Sequence, residues 1–388
     1  MASALLAPSF AHAIPAFARK YDMACNTCHA HAYPELNPYG RFFKENGFQL
    51  ARGAEEPFRQ GATQEPGAVN ARLDVLRALP LAMRALSTVQ IPTNPNESER
   101  NTVDFRMISD LFVLAGGSVY RDISFFAAAS LAPDPFLHHA SIGFHNLIGG
   151  EGVMNVRAGQ FLLLDFLRND HRGMTRQGSL AATTPVGLNP TILDTNHFGF
   201  DLYGRVLRRR LFYEAAVVQG AQGDDGIDDL DSNKDLFGQA QIFFGDEQMI
   251  GGLAYRGRTQ ILDNSNSVEV RFTDPFWIVG PTAELHRGPL TFFGYALYNM
   301  HENPTGFDEQ IDFMGYRAQI DAAFTRSVLA IFRYDRVESE DDFRLEREAL
   351  TTHFTYLRLL NLKMSAEYTA DLMEFDLSTV SLRLDLAI

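Results

Sequence analysis

The sequence predicts an all-β transmembrane barrel of about sixteen antiparallel strands with a small α-helical module at its N-terminus. Three observations predict it. From residue 79 to the end, short segments of alternating apolar and polar side chains follow one another between clusters of Gly, Pro, Asn and Asp. No apolar run reaches the roughly eighteen residues that a helical membrane span needs. Ahead of the alternating region, both cysteines of the chain fall in one pentapeptide, Cys25-Asn26-Thr27-Cys28-His29.

Composition narrows the classes further. The 34 Lys+Arg against 48 Asp+Glu leave a formal charge of −14, without a basic cluster to hold nucleic acid through its phosphates. A 46% hydrophobic and 21% charged chain is a folded one, and 31 Phe and 13 Tyr against 1 Trp is a heavy aromatic load. Two cysteines cannot build a disulfide scaffold. A large soluble protein or a β-barrel is left.

Residues 1–13 read as the remnant of an export signal: a small apolar stretch closing on Ala11-His12-Ala13, after which cleavage leaves Ile14 as the first residue. A cytosolic tail is the alternative. The next unit is 14–67, a monohaem cytochrome c module. Its Cys25-x-x-Cys28-His29 has the spacing that attaches c-type haem, with two thiols one turn apart for the two vinyl groups and an imidazole placed for the iron. A thioredoxin-like redox pair or half a zinc site would also use Cys-x-x-Cys, but neither needs the following His, and no second pair exists to close a zinc site. One covalently bound haem c is therefore expected, with His29 as an axial ligand of its iron. Asn37 can cap a short helix with Pro38 at its first position, and Gly47 can end it in a left-handed conformation. Tyr33, Leu36, Tyr39, Phe42 and Phe43 then form an apolar wall that either faces the porphyrin or fills a small core. A module this short is marginal even with a covalent staple, so the rest of the chain is expected to complete the pocket.

Residues 68–78 read as a linker and 79–388 as a porin-like outer-membrane barrel. Val380, Leu382, Leu384 and Leu386 share one face of the last strand and Ser381, Arg383 and Asp385 the other; Met314, Tyr316, Ala318, Ile320, Ala322 and Phe324 oppose Arg317, Gln319 and Asp321, and Met364, Ala366, Tyr368 and Ala370 oppose Lys363, Glu367 and Asp371. Lipid outside and water inside would produce this pattern; a soluble sandwich also alternates. The recurring charged faces favour the barrel, as does an expected aromatic girdle of Tyr120, Phe136, Phe198, Tyr203, Phe212, Tyr213, Trp277 and Tyr298 near strand ends. About seventeen candidate strands can be traced, and the even number of single-chain bacterial barrels makes sixteen the expectation. The doubtful segments are 79–91 and the run across Pro275 to Pro281, where proline interrupts the ladder. Two connections are long and are expected to face outward: Asp165 to Asn196, with Arg168, Asp170, His171, Arg172 and Met174, and Gly220 to Asp235, whose Asp224, Asp225, Asp228, Asp229, Asp231 and Asp235 either gather a hard cation or form a solvated loop.

The stretch Ile14-Pro15-Ala16-Phe17-Ala18-Arg19-Lys20, the haem pentapeptide and then Pro34-x-Leu36-Asn37-x-x-Gly40-Arg41-x-Phe43-x-x-Asn46-Gly47 together resemble the fused outer-membrane monohaem cytochrome-porins of iron-oxidising bacteria. The likeness is sharp over the N-terminal forty residues or so and architectural beyond them. It implies a bacterial outer-membrane location, with the haem in the periplasmic mouth or lumen. It also implies Fe2+-oxidising electron transfer, from extracellular Fe2+ or another one-electron donor to a periplasmic c-type cytochrome or similar acceptor.

The sixth iron ligand stays open at this level. His31 and Met23 are tied to the attachment edge, Met83, Met107, His138, His139 and His145 are candidates from the barrel wall, and an open sixth site is the alternative. Two functions stay open as well: an electron conduit, and a diffusion porin or transporter whose haem plugs, gates or senses. A soluble haem enzyme is a distant third.

Overall fold

A computed structural model describes residues 16–21, 23–29, 35–50, 80–92, 103–132, 136–167, 174–220, 233–245, 248–263, 270–359, 361–374 and 378–387. The expected export signal and linker lie outside these residues, as do His31, Tyr33, Arg168, Asp170, His171, Arg172, and Asp224 to Asp231 of the aspartate-rich connection.

Two short helices come first, α1 (Ala16–Tyr21) and α2 (Pro38–Glu45), with a single 3-10 turn, Cys25–Thr27, between them. The alternating region then becomes strands β1 (Leu81–Pro92), β2 (Asp104–Tyr120), β3 (Ile123–Ala132), β4 (Phe136–Phe144), β5 (Asn155–Leu162) and β6 (Asn196–Val206). After these come β7 (Leu211–Val218), β8 (Asp235–Phe244), β9 (Gln248–Asp263), β10 (Val270–Arg287) and β11 (Leu290–His301). The last are β12 (Ile311–Thr325), β13 (Val328–Glu338), β14 (Arg347–Leu359), β15 (Leu362–Asp371) and β16 (Thr379–Ala387). Each pairs antiparallel with its neighbours, and β1 pairs with β16 from Arg84↔Ala387 to Pro92↔Thr379, so the sheet closes without an edge.

Both doubted segments are strands. The 79–91 region supplies β1, and β10 runs through both prolines. Pro281 is tolerated because the β10–β11 register skips 280–281 while β9–β10 pairing continues, and Pro275 lies one residue outside the β10–β11 register, which opens at Phe276↔His301. A missing N–H therefore costs no ladder bond at either place.

Side chains sort as the period-two pattern requires. Met314, Tyr316, Ala318 and Ile320 point outward while Arg317, Gln319 and Asp321 are buried inside; Met364, Ala366 and Tyr368 lie outside Lys363 and Glu367, and Leu382 and Leu384 outside Ser381 and Asp385. The aromatic girdle needs correcting. Tyr120, Phe136, Trp277 and Tyr298 are exposed on the outer surface, but Tyr203 and Phe212 are buried inside, because they share parity with Asp201 and Glu214 rather than with Phe200 and Val217.

The connection after β5 departs from expectation more strongly. It turns back into the lumen instead of standing outward: a 3-10 turn, Leu163–Phe166, and a helical turn α3 (Leu180–Thr183) lie against the inner wall. Leu163, Leu164, Leu167, Ala181 and Leu193 pack with Phe237, Tyr255, Phe276 and Tyr295 into an apolar core. Polar pins hold it: Ser179 Oγ donates to Asp335 Oδ1 (2.8 Å), Asn189 Nδ2 to Asp274 Oδ2 (2.7 Å), Arg333 Nη1 to Thr175 Oγ1 (2.6 Å), and the Arg176 N–H to Glu367 Oε2 (2.8 Å). A polar, water-facing interior was expected throughout; beside β7 to β13 an apolar core stands in its place.

Strand parity puts the start of β1 and the end of β16 at one end of the barrel. That end carries the tight connections 121–122, 288–289 and 326–327, and the opposite end carries 93–103, 163–195 and 219–234. Barrels of this class keep short turns periplasmic.

Candidate functional site

The site is assembled from the N-terminal residues upward. In the turn at Cys25, the Cys28 and His29 N–H groups both donate to Cys25 O (3.2 and 3.0 Å), which brings both thiols and the imidazole onto one short arc. Asn37 caps α2 as expected, its Oδ1 accepting from the Gly40 N–H at 2.9 Å with Pro38 at the first position, and the same side chain donates to Thr27 O at 3.0 Å. The cap thus ties the second helix to the cysteine turn. Gly40 is required at the crossing, since a Cβ there would stand 2.0 Å from Cys28 O. Gly47 ends the helix at φ +70°, as its type predicts.

Of the residues expected to form an apolar wall, Phe43 fills a small core and also lines a cavity, while Tyr33 lies outside the described residues. Phe43 meets Phe17 (5.4 Å) and Tyr21 (5.5 Å) edge-on, and Phe17 stacks on Phe48 at 4.8 Å, a small core joining α1 to α2. Phe43 also lines the cavity described below, as does Leu36, whereas Phe42 turns away beneath the Arg209 guanidinium, 3.9 Å from its ring centre. Tyr39 is exposed.

This segment is docked inside the barrel. Lys44 Nζ reaches Asp165 Oδ1 at 2.8 Å, Arg41 Nη2 reaches Glu284 Oε1 at 2.5 Å, and Arg205 grips Glu45 with both arms at 2.6 and 2.7 Å. Phe48 packs on Phe126 of β3 at 5.1 Å. The turn beneath, Leu207 to Arg209, holds three consecutive non-glycine residues at positive φ, which costs about 1 kcal/mol or more each. Arg205, just before that turn, and Arg209, within it, both meet the module, at Glu45 and Phe42.

Between segment and wall lies a cavity of about 280 Å³ that opens to solvent on one side. Cys25, Cys28 and His29 line one side, and Leu114, Phe126, His139, His145 and Tyr203 of the barrel line the other. His29 Nδ1 lies 2.9 Å from Glu35 O; a carbonyl only accepts, so Nδ1 carries the proton and Nε2 keeps its lone pair. Burial pushes the Cys28 thiol up to about 11, with Cys25 beside it adding to the shift, and raises Cys25 too. A dithiol redox catalyst needs the opposite shift. Among the described residues no group of three or more His, Cys, Asp or Glu is arranged for a metal ion, so the cysteines are not part of a zinc site built from those residues.

Of the wall candidates for an iron ligand, Met83 and Met107 are exposed on the outer surface, and His138 lies between the Phe112 and Phe136 rings, outside the cavity lining. His139, His145 and Met23 line the cavity. His145 Nε2 is 2.7 Å from Ser124 Oγ, and its burial lowers the imidazole to about 4, leaving it neutral at physiological pH. Sequence reasoning missed Arg157, also at the cavity, which donates to Asp165 and Asp201 at 2.7 Å each and lies over the Phe161 ring. The inward parity of Arg157 with Asn155, Gly159 and Phe161 was the available signal.

No protein-family model matches the chain, and neither does any curated protein. Solved structures do match in fold. The outer-membrane channel DcaP of Acinetobacter baumannii superposes with a TM-score of 0.57 at 11% identity, covering 79% of this chain and 96% of that one. OmpF of Salmonella typhi gives 0.54 at 11%, covering 80% and 97%, and the anion-selective porin of Comamonas acidovorans gives 0.53 at 8%, covering 79% and 98%. At such identities the likeness is one of architecture: this chain forms a closed sixteen-stranded barrel of the outer-membrane porin type.

Proposed function

We propose that the chain is an outer-membrane c-type cytochrome fused to a porin-like barrel, passing electrons from an extracellular donor, Fe2+ foremost, through one haem c to a periplasmic carrier such as a soluble c-type cytochrome. The observation that carries this reading is the Cys25-x-x-Cys28-His29 turn opening onto a cavity whose far wall is the barrel interior. The residues present fit the group. Cys25 and Cys28 would hold it through thioether bonds and His29 would ligate its iron through Nε2, the ring oriented by the Nδ1 contact to the Glu35 carbonyl, as bound metals require of their histidines. Leu36, Phe43 and Phe126 give the cavity walls an apolar lining, and such a lining is one of the levers that set an iron couple's potential. When bound, the haem supplies a one-electron couple inside a membrane that is otherwise an insulator. The net charge of −14 suits attraction of a divalent donor.

Fe2+ as donor rests on the resemblance of the first forty or so residues to the cytochrome-porins. Haem staining of the purified chain after denaturing electrophoresis tests covalent attachment, and stopped-flow mixing with Fe2+ tests the donor. A ferric spectrum that persists with Fe2+ but bleaches with other one-electron donors would remove iron and keep the conduit.

A second reading, a diffusion porin with a haem plug, is favoured by the fold, which is that of solved channels. Conductance in a planar bilayer separates the two. The conduit should pass little current, because the inward connection and the N-terminal segment both occupy the interior; a porin should pass a large ohmic one.

A further inference from the structure

We propose that His139 supplies the second protein ligand to the iron of the haem attached at Cys25 and Cys28, a step that rests on the cytochrome reading above. The argument begins with the backbone of β4. Its register against β3 slips between Ala128↔His139 and Ala129↔Leu137, so His138 is an extra residue, a β-bulge. Bulges re-aim the neighbouring side chain and gather at functional sites. Here His138 faces the Phe112 and Phe136 rings outside, and His139 is turned inward to the cavity, 2% exposed. Ser141, next on the inner face, shares a hydrogen bond with one His139 ring nitrogen at 2.8 Å. A ligating imidazole is held in this manner, one nitrogen oriented by a neighbour and the other given to the metal. Phe126 braces the ring edge-on at 5.0 Å and is itself braced by Phe48 of the N-terminal segment, so the imidazole is positioned by the same segment that carries the cysteines.

The other cavity candidates are placed differently. His145 Nε2 is paired with Ser124 Oγ and closed in by two glycines: a Cβ at Gly47 would stand 2.1 Å from that nitrogen, and one at Gly143 2.6 Å. Its Nδ1 faces the Tyr203 hydroxyl at 3.5 Å. His145 is thus a clasp between segment and wall. Met23 lies two residues from Cys25, on the attachment arc itself, with the Tyr39 hydroxyl on its sulfur at 3.9 Å.

The test is spectroscopic and needs no turnover. In the purified haem-loaded protein, electron paramagnetic resonance and near-infrared magnetic circular dichroism should report a low-spin ferric iron with two imidazoles and no methionine-to-iron band. His139→Ala should lose the low-spin signal, bind carbon monoxide when reduced, and regain low spin with added imidazole. His139→Met, which keeps a ligand and guards against a folding defect, should stay low-spin and gain the methionine band. His145→Ala should keep both imidazole signatures. A haem-loaded His139→Ala protein with an unchanged spectrum would overturn this ligand alone. A wild-type chain without covalent haem would instead remove the cytochrome reading on which it rests.

Discussion

The two sides of the barrel interior have opposite fates. Beside β7 to β13 the chain folds its own connection inward and packs Leu163, Leu164, Ala181 and Leu193 against Phe237, Tyr255 and Phe276, with Ser179, Asn189 and Thr175 satisfying buried polar groups of the wall. Beside β2 to β6 the wall instead faces a cavity bordered by the cysteine turn. A sixteen-stranded barrel encloses more volume than wall side chains can fill. One side is filled by the chain's own connection and the other holds the cavity where a haem guest is proposed, and Asp165 joins them by accepting from Arg157 of the wall and Lys44 of the N-terminal segment.

The sharpest way to break this comparison is to remove the guest. Cys28→Ala should abolish nearly all haem staining while the barrel still inserts, read by heat-modifiable mobility; failure to insert would mean that the guest is needed to fold the wall. Next comes the filled side. Arg333→Ala leaves Asp335 buried beside Ser179 without its guanidinium, which should cost about 3–5 kcal/mol in urea unfolding. It should also raise single-channel current, which would remain small if the connection stays packed without that pin. On the cavity side, a Cys28 thiol near 11 instead of 9.0 holds about a hundredfold less thiolate at neutral pH. Alkylation of haem-free protein should therefore be slow at pH 7 and climb steadily up to about pH 11; a plateau near pH 8 would show an unburied thiol. The smallest effect is expected for Gly40→Ala, whose Cβ has to push α2 off Cys28 O, a strain of about 1–3 kcal/mol that should appear as reduced haem loading.

Much of the wall was legible because alternation is a local property: the faces of β12, β15 and β16 can be read from a dozen residues each. The proline-bearing β10 was not, since whether a missing N–H matters depends on the register of the neighbouring strand. Tyr203 and Phe212 were misplaced by reading aromatic identity ahead of parity. The inward connection was invisible for a different reason. Its leucines have no period, and only the enclosed volume created by distant strands makes burying them favourable. At the cavity the cysteine turn and the Asn37 cap could each be read from a few neighbouring residues, whereas the inward turn of His139 depends on a bulge that only strand pairing creates.

Arg84 belongs to the first strand and lines the cavity, yet its side chain is held by Asp385, with Nε 2.9 Å from Oδ1 and Nη2 2.5 Å from Oδ2, three residues before the end of the chain. The seam that closes the sheet between β1 and β16 therefore also fixes a guanidinium at the chamber's rim, so barrel closure and the shape of the cavity are one event.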